Sequence, residues 1–389
     1  MASIINNSSC WPKVAFGDVV RNVDETIRDS QNSGLERYVG LEHIDPESLH
    51  IQRWGLISEG TSFTRRFRKG QVLFGKRRAY QRKVAVAEFD GLCSSDILVF
   101  QPKDDCLLPE LLPFICQSDG FFEHALDTSA GSLSPRTKFK ELARYEFPLP
   151  PLDEQRRIAE ILWAADRAIN NFEKLSAHIE NYYLQYLAKK LAIPSPDGKK
   201  VKIKEVAEIN SQTYSEKTTP SDFVIEYIDI SCLESKTIDP TVKYGFGEAP
   251  SRARRKVTNG DILLSMVRPY FKAFAKVITD KENLVASTGI CVVSPGPEID
   301  ADFLLHIFFT KDFFDYCNER MTGTNYPAIK PSDIAEYSIN LPSLGEQIEM
   351  ASLLSLLDKN KKEVDIHVQK IKELSKFLIN EHLAYHRSI

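Results

Sequence analysis

The sequence predicts a mixed α/β (α+β) fold built twice: two domains with twisted sheets, each followed by one long helix, the two helices pairing as an antiparallel coiled coil. Three observations carry this: an internal repeat, two long heptad-patterned runs, and short β-rich runs bounded by turn residues.

The repeat comes first, because a missed repeat misassigns the fold. Pro148-Leu-Pro-Pro-Leu-Asp-Glu-Gln155 returns as Asn340-Leu-Pro-Ser-Leu-Gly-Glu-Gln347, about 190 residues later, and both copies run into helical pattern. Upstream, Gly131-Ser-Leu-Ser-Pro135 aligns with Gly323-Thr-Asn-Tyr-Pro327, and Gly70-Gln-Val-Leu-Phe74 with Gly260-Asp-Ile-Leu-Leu264. Ser94 to Phe100 and Tyr38 to Leu41 align with Ser287 to Val293 and Tyr227 to Ile230. A period this long is a duplicated domain and not a solenoid repeat of roughly 20–50 residues. Ile193-Pro-Ser-Pro-Asp-Gly-Lys-Lys200 reads as the linker. The expected boundaries are 1–151 for the first domain, 152–193 for its helix, 194–343 for the second domain and 344–389 for the C-terminal helix.

From Leu152 to about Leu191 there is no Pro or Gly. Ile158, Ile161, Ala165, Ala168, Phe172, Leu175, Ile179, Tyr182 and Tyr186 fit heptad a and d positions, with Leu162, Ile169 and Tyr183 widening the stripe. The second run, Leu344 to about Leu383, carries Met350, Leu353, Leu357, Val364, Ile371, Leu374 and Leu378, interrupted by Asn360 and His367. A helix of about 40 residues is roughly 60 Å long, more than one domain covers, so the two are expected to pair. Asn360 and His367 would then face inward and set the register.

Within the domains, Gln71–Phe74, Val84–Phe89, Ile97–Phe100, Ile262–Leu264, Phe274–Ile278 and Ile290–Val293 read as strands, and Leu107–His124 and Phe303–Asn318 as helical.

Composition narrows function. The 389 residues are 42% hydrophobic and 27% charged, which excludes a disordered or purely coiled-coil chain. The net charge of -4 excludes a uniformly basic surface, so any nucleic-acid site must be local. No run approaches the roughly 18 apolar residues of a membrane span, and Met1 to Pro12 is polar, so a cytoplasmic protein without membrane contact is expected. Cys10, Cys93, Cys106, Cys116, Cys232, Cys291 and Cys317 are odd in number and form no C-x-x-C pair, against a disulfide or zinc framework.

Positive charge is concentrated. Between Thr61 and Lys83 lie Arg65, Arg66, Arg68, Lys69, Lys76, Arg77, Arg78, Arg82 and Lys83 with no acidic residue. The second copy has Arg252, Arg254, Arg255, Lys256, Arg268, Lys272 and Lys276 in the equivalent region. Phe63, Phe67, Phe74 and Tyr80, and then Tyr270, Phe271 and Phe274, interleave with these cations. A solvated charged face is the plain alternative, but recurrence in both copies and the Arg bias favour contacts with phosphate and with guanine edges. The expected DNA-binding set adds Arg136, Lys138, Asn325, Tyr326 and Lys330 from the two glycine-containing loops.

Enzymatic readings fail. Gly70 to Arg77 matches G-x-x-x-x-G-K and then places Arg77 where Ser or Thr belongs, with a strand in its middle. Asp222 with Glu234-x-Lys236 faintly suggests a magnesium-dependent nuclease, without counterpart in the first copy. No H-E-x-x-H spacing and no glycine-rich cofactor loop is present.

These residues together resemble the DNA specificity subunit of type I restriction-modification systems. The resemblance spans nearly the whole chain. In the first copy it rests on Ile57 to Phe63, Gly70 to Tyr80, Gly131 to Pro135 and Leu149 to Ala159, and in the second on Gly260 to Leu264, Thr322 to Thr324 and Leu341 to Gln347. One departure is Gly345, in place of the acidic residue before Glu346-Gln347.

The resemblance implies two target-recognition domains, each reading one half of a bipartite site in double-stranded DNA. It implies that the helices dock two methyltransferase (modification) subunits, and it admits a translocating restriction subunit as a further partner. Glu154, Gln155, Arg156, Arg157, Glu346 and Gln347, at the helix starts, are the partner-binding candidates. The chain itself would be non-catalytic and bind no cofactor; S-adenosylmethionine, ATP and Mg²⁺ would belong to the partners. The competing expectation is a coiled-coil assembly scaffold without DNA specificity.

Overall fold

The computed structural model describes residues 11–131, 133–192, 198–239, 241–323 and 325–383. Residues 1–10 with Cys10, the linker residues 193–197, Ser132 and Thr324 lie outside the described residues. The chain forms two compact units, one of residues 1–173 with 366–389 and one of residues 174–365.

Both long helices form, Leu152–Ala192 and Leu344–Leu383, and each contributes one half to each unit. In the first unit, Ile158 and Leu162 share a core with Ile379 and Leu383, and Glu173 pairs with Lys372 at 2.6 Å. In the second, Tyr183 and Leu187 pack on Leu354, Ser176 donates to Asp365 at 2.6 Å, and Lys361 reaches Glu180 at 3.7 Å. Rising numbers on one helix meet falling numbers on the other, so the pairing is antiparallel in both units.

The seam differs from the expected one by one residue at every second position. On the first helix a continuous line of buried or half-buried positions runs through 158, 162, 165, 169, 172, 176, 179, 183 and 186, so Leu162, Ile169 and Tyr183 are seam residues, while the expected Ala168 is also half-buried beside it. Ile161, Leu175 and Tyr182 are exposed. On the second helix the same spacing holds through 350, 354, 357, 361, 364, 368, 371, 375 and 378, and Leu374 is exposed. The physical cause is Ser176: a polar residue fills a seam position because its hydroxyl bonds Asp365, while apolar Leu175 beside it faces out. Asn360 and His367 are exposed, and the His367 ring lies against Phe172 with centroids 6.2 Å apart. Polar register is set instead by Ser176, Asp365, Lys361 and Glu180.

The two four-stranded sheets of each unit repeat strand for strand. The first unit has one four-stranded antiparallel sheet in the order Val20–Asn22, Ile97–Pro102, Val72–Gly75, Val84–Val86. A second sheet has the order Gly55–Leu56, Arg37–Val39, Gly91–Cys93, Arg65–Phe67, with one parallel pair. The second unit repeats both, as Ala207–Ile209, Ile290–Pro295, Ile262–Ser265, Phe274–Lys276 and as Val242–Gly245, Val224–Ile228, Leu284–Ser287, Ala253–Val257. In each copy the central strand of the first sheet is buried along its length, as a strand covered on both faces requires.

Each expected helix of the domains is two. Leu112–Gln117 and Asp119–Asp127 break at Ser118, whose hydroxyl accepts from Phe121 N. Ala301–Phe308 and Lys311–Arg320 break before Thr310, which caps Phe313 N in the same way. These caps satisfy helix-end donors and allow the chain to turn. The turn carries Phe121 onto Phe74 in one copy and Phe313 onto Phe274 in the other, with ring centroids 5.4 and 6.1 Å apart.

Candidate nucleic-acid interface

Between the two strands of the central hairpin, each unit builds the same strained turn. In the first unit Arg78 and Arg82 flank the 3-10 turn Ala79–Gln81, both left-handed, at φ 54° and 50°. In the second, Arg268 and Lys272 flank Pro269–Phe271 at φ 49° and 55°. A residue with a Cβ costs roughly 1–2 kcal/mol in this conformation. Among the described residues, four of the seven non-glycine residues with positive φ are therefore at the same two places in the two copies. Strain repeated in this way is held by its surroundings.

A glycine-containing loop holds it. Arg78 N donates to Pro135 O at 2.8 Å, and Arg268 N to Pro327 O at 2.8 Å. Arg77 bridges Arg136, as Val267 bridges Ala328. The loop closes through paired backbone bonds between Ala130 and Arg136, and between Thr322 and Ala328, all at 3.0 Å. Gly131 and Gly323 have φ of 110° and 97°, and a Cβ on Gly323 would stand 3.1 Å from Tyr326 O. Turn and loop tips are exposed: Tyr80 and Leu133 in one unit, Tyr270, Phe271 and Tyr326 in the other.

The structure divides the basic clusters in two. One part lies at these turns. Lys76 is half-buried, and burial followed by the charge of Arg65 lowers its pKa. Arg77 lies 3.4 Å from Asp96, Arg136 pairs with Asp96 at 2.8 Å, and Lys138 is exposed before the short helix Phe139–Leu142. Arg268 donates to Asn325 O at 3.2 Å and stacks over the Tyr326 ring, while Lys272 lies over Phe314. Tyr270, Asn325 and Lys330 are exposed beside them.

The other part is on or beside sheet strands, and most of it is internally paired. Arg65 binds Asp24 and Ile97 O, Arg66 binds Glu25 and Asp90, and Arg68 binds Glu25; Lys69 is exposed next to them. Arg254 pairs with Glu216, Arg255 donates to Ile290 O, and Lys256 is half-buried, leaving Arg252 exposed. Arg65 alone among them is close enough to Lys76 for its charge to act on that turn residue.

Three of the expected site residues are engaged within the chain. The Arg82 guanidinium binds Asp119 at 2.8 Å and Gln117 O at 2.8 Å and lies over Phe122. Since Asp119 also accepts from Asn380 of the second long helix, Arg82 fastens the hairpin to the helices. Gln155 and Gln347 are 1% and 0% exposed, bonded within the chain and not presented at its surface. Gln155 accepts from Leu108 N and donates to Cys106 O and Pro150 O. Gln347 accepts from Asp300 N and donates to Glu298 O and Pro342 O. Each tethers the loop before the domain helices to a long-helix start. Arg156 and Arg157 are exposed, Glu154 and Glu346 half-buried.

The carboxylate sites also resolve. Lys236 is half-buried against the Tyr183 and Phe309 rings and pairs with Asp358, so it forms no unit with Asp222 and Glu234. Among the described residues, no group of three or more His, Cys, Asp or Glu could hold a metal ion, and no helix is long and apolar enough to cross a membrane. Asp96 and Ser134, which contact the expected residues Arg77 and Arg136, were not among the site residues read from the sequence. Asp96 lies beyond the basic stretch and carries no signal until its partners, about 20 and 40 residues away, are known.

Residues 52–181 and 196–376 match the family model of the type I restriction modification DNA specificity domain. The specificity subunit of type I restriction enzyme MjaVIII from Methanocaldococcus jannaschii is 26% identical, covering 94% of this chain and 91% of its own length. That of EcoDI from Escherichia coli is 28% identical over 49% of this chain and 42% of its own length. Among solved structures, the S subunit of a type I restriction-modification system from M. genitalium matches at TM-score 0.63 and 14% identity, over 100% of this chain and 98% of that one. A chain from a type I system studied for complex assembly and conformational transition matches at TM-score 0.55 and 21% identity, over 96% and 97%. These structures share the fold. With the family domain present in both halves and covering most of its length, the chain belongs to the type I restriction-modification DNA specificity family.

Proposed function

We propose that this chain is the sequence-specific DNA-recognition subunit of a type I restriction-modification complex, each unit reading one half of an asymmetric bipartite site in double-stranded DNA. The observation that carries the reading is the strained, cation-bearing turn built at the same place in both units and locked to a loop with an exposed tip. A left-handed Arg whose backbone N–H is held by a proline carbonyl projects from a rigid base, which lowers the entropy lost on contact with DNA. Equal scaffolds with different tip residues fit two different half-sites.

In this reading the long helices dock two methyltransferase subunits through their outward faces, where Ile161, Leu175 and Tyr182 are exposed. S-adenosylmethionine, ATP and Mg²⁺ act in the partners, a restriction subunit is a further partner, and the assembly works in the cytoplasm. The chain does no chemistry of its own.

The test is a salt titration of duplex binding by the complex assembled with its methyltransferase subunits. Arg78→Ala and Arg268→Ala each lower affinity, and loss of a phosphate contact shallows the salt slope by about 1. Binding absent at low salt, or unchanged in both variants, overturns the reading and favours a protein-assembly scaffold.

A further inference from the structure

The two reader turns share a backbone but not their polar contents. In the first unit Asp96 precedes the strand Ile97–Pro102 and lies under the turn, its side chain 17% exposed. Its carbonyl accepts from Lys76 N at 3.0 Å, so the backbone is fixed as well. Oδ1 accepts from Arg136 Nε at 2.8 Å, and Oδ2 from Arg136 Nη2 and Arg77 Nη1, both at 3.4 Å. Arg77 Nη2 donates to Ser134 Oγ at 3.0 Å, and Arg77 Nε is buried without a partner.

The two arginines are therefore unequal. Arg77 is tied at both terminal nitrogens and supports the loop. Arg136 turns its Nε–Nη2 edge to the carboxylate, which leaves the end bearing Nη1 and the second Nη2 hydrogen directed away from Asp96, on a side chain 47% exposed. A guanidinium end of this kind presents two parallel donors and matches two adjacent acceptors in one plane. In the major groove, guanine O6 and N7 are that pair. Asp96 remains an anion: burial pushes its pKa up, but the hydrogen bond and charge of Arg136, with Arg77, hold it below the usual carboxylate range.

The second unit has the turn without the triad. Gly289, Val267 and Ala328 stand where the first unit has Asp96, Arg77 and Arg136, and the Val267–Ala328 bridge repeats the Arg77–Arg136 bridge. Its one turn arginine, Arg268, is stacked over Tyr326 and bound to Asn325 O.

We propose that Arg136, held by Asp96, reads a guanine in the half-site of the first unit, with Asp96 and Arg77 as positioning residues and no equivalent reader in the second unit. This rests on the DNA-recognition reading above. It assigns one base and one strand-edge chemistry to one side of an asymmetric site.

The experiment selects binding sites from a randomised duplex library with the assembled complex, unsubstituted or carrying Arg136→Ala, Arg136→Lys or Asp96→Asn. The unsubstituted complex selects a G·C pair that both Arg136 variants relax by about 5- to 150-fold. The other half-site stays intact. Arg136→Lys retains the charge on an exposed side chain, so its loss of discrimination cannot come from failure to fold. Asp96→Asn relaxes the same pair while total duplex affinity holds or rises, because an anion near the phosphates has gone; a merely structural aspartate would lower affinity for all sequences. Retention of every position by the Arg136 variants, or relaxation at an A·T pair, overturns the inference alone. Absence of sequence preference in the unsubstituted complex overturns the DNA-recognition reading itself.

Discussion

Gln155→Ala separates a structural tether from a docking contact. The side chain is buried and forms three hydrogen bonds to backbone: from Leu108 N at 2.9 Å, to Cys106 O at 2.7 Å and to Pro150 O at 2.9 Å. Alanine removes all three partners and adds none. A hydrogen bond contributes about 1 kcal/mol net, and a buried group left unpaired costs roughly 1–3 kcal/mol. Water entering the vacated space recovers part of this, so the expected loss is about 3–5 kcal/mol. In a unit of this size 1 kcal/mol lowers Tm by roughly 2–4 °C, which gives a drop of about 6–20 °C. Scanning calorimetry of the purified chain measures it, with Arg156→Ala as the control, since an exposed residue is expected to shift stability by no more than about 0.5 kcal/mol. Gln347→Ala, with its own three backbone bonds, is expected to lower the second transition in the same way. A Gln155→Ala chain with unchanged Tm that no longer assembles with methyltransferase subunits would refute the tether and restore the docking role.

Two further predictions follow from the packing. Leu162→Ala is expected to cost about 2–5 kcal/mol and Ile161→Ala under about 1 kcal/mol, because the first is buried in the seam and the second exposed; the reverse order in denaturant melts would refute the register. The two units also respond oppositely to pH. His50 bonds Asp166 and Glu88, both at 2.8 Å, and chiefly through Asp166 its pKa rises to about 9, so its stabilisation is full below the ordinary 6.5 and is lost as pH rises through 9. Solvent screening at this partly exposed site limits it to about 1–2 kcal/mol. His306 is buried against Tyr183 and Ser355, and burial, then the Lys236 charge, lowers its pKa to about 3. Its contribution is present above 6.5 and declines as pH falls towards 3. Tm against pH should lose its alkaline limb dependence in His50→Ala and its acid dependence in His306→Gln; unchanged profiles would refute both assignments.

Much of the fold was legible because duplication prints the same signals twice. The helix-start motifs, the glycine loops and the central hydrophobic strands recur at a fixed offset, and each is a local consequence of capping, positive φ or burial. The helix seam was misread because heptad reasoning assumes apolar residues face in. Ser176 violates that by bonding Asp365, and Leu175 violates it by facing solvent. The single long helical readings failed at Ser118 and Thr310, whose capping role depends on the aromatic core that the turn completes.

The basic clusters show where local information stops. Side-chain type and recurrence, which are properties of the chain, marked both regions as cationic and placed the turn residues Arg78 and Arg268 among the candidates. Which cations remain available was settled by carboxylates distant along the chain. Glu25 and Asp90 neutralise Arg66, Asp119 takes Arg82 towards the helices, and Asp96 aims Arg136 outward. Composition and period thus suffice for a twice-built domain with two long helices, since those depend on burial and hydrogen bonding between near neighbours. The direction of a charge depends on a partner brought close only by folding, so the usable reading surface belongs to the tertiary structure.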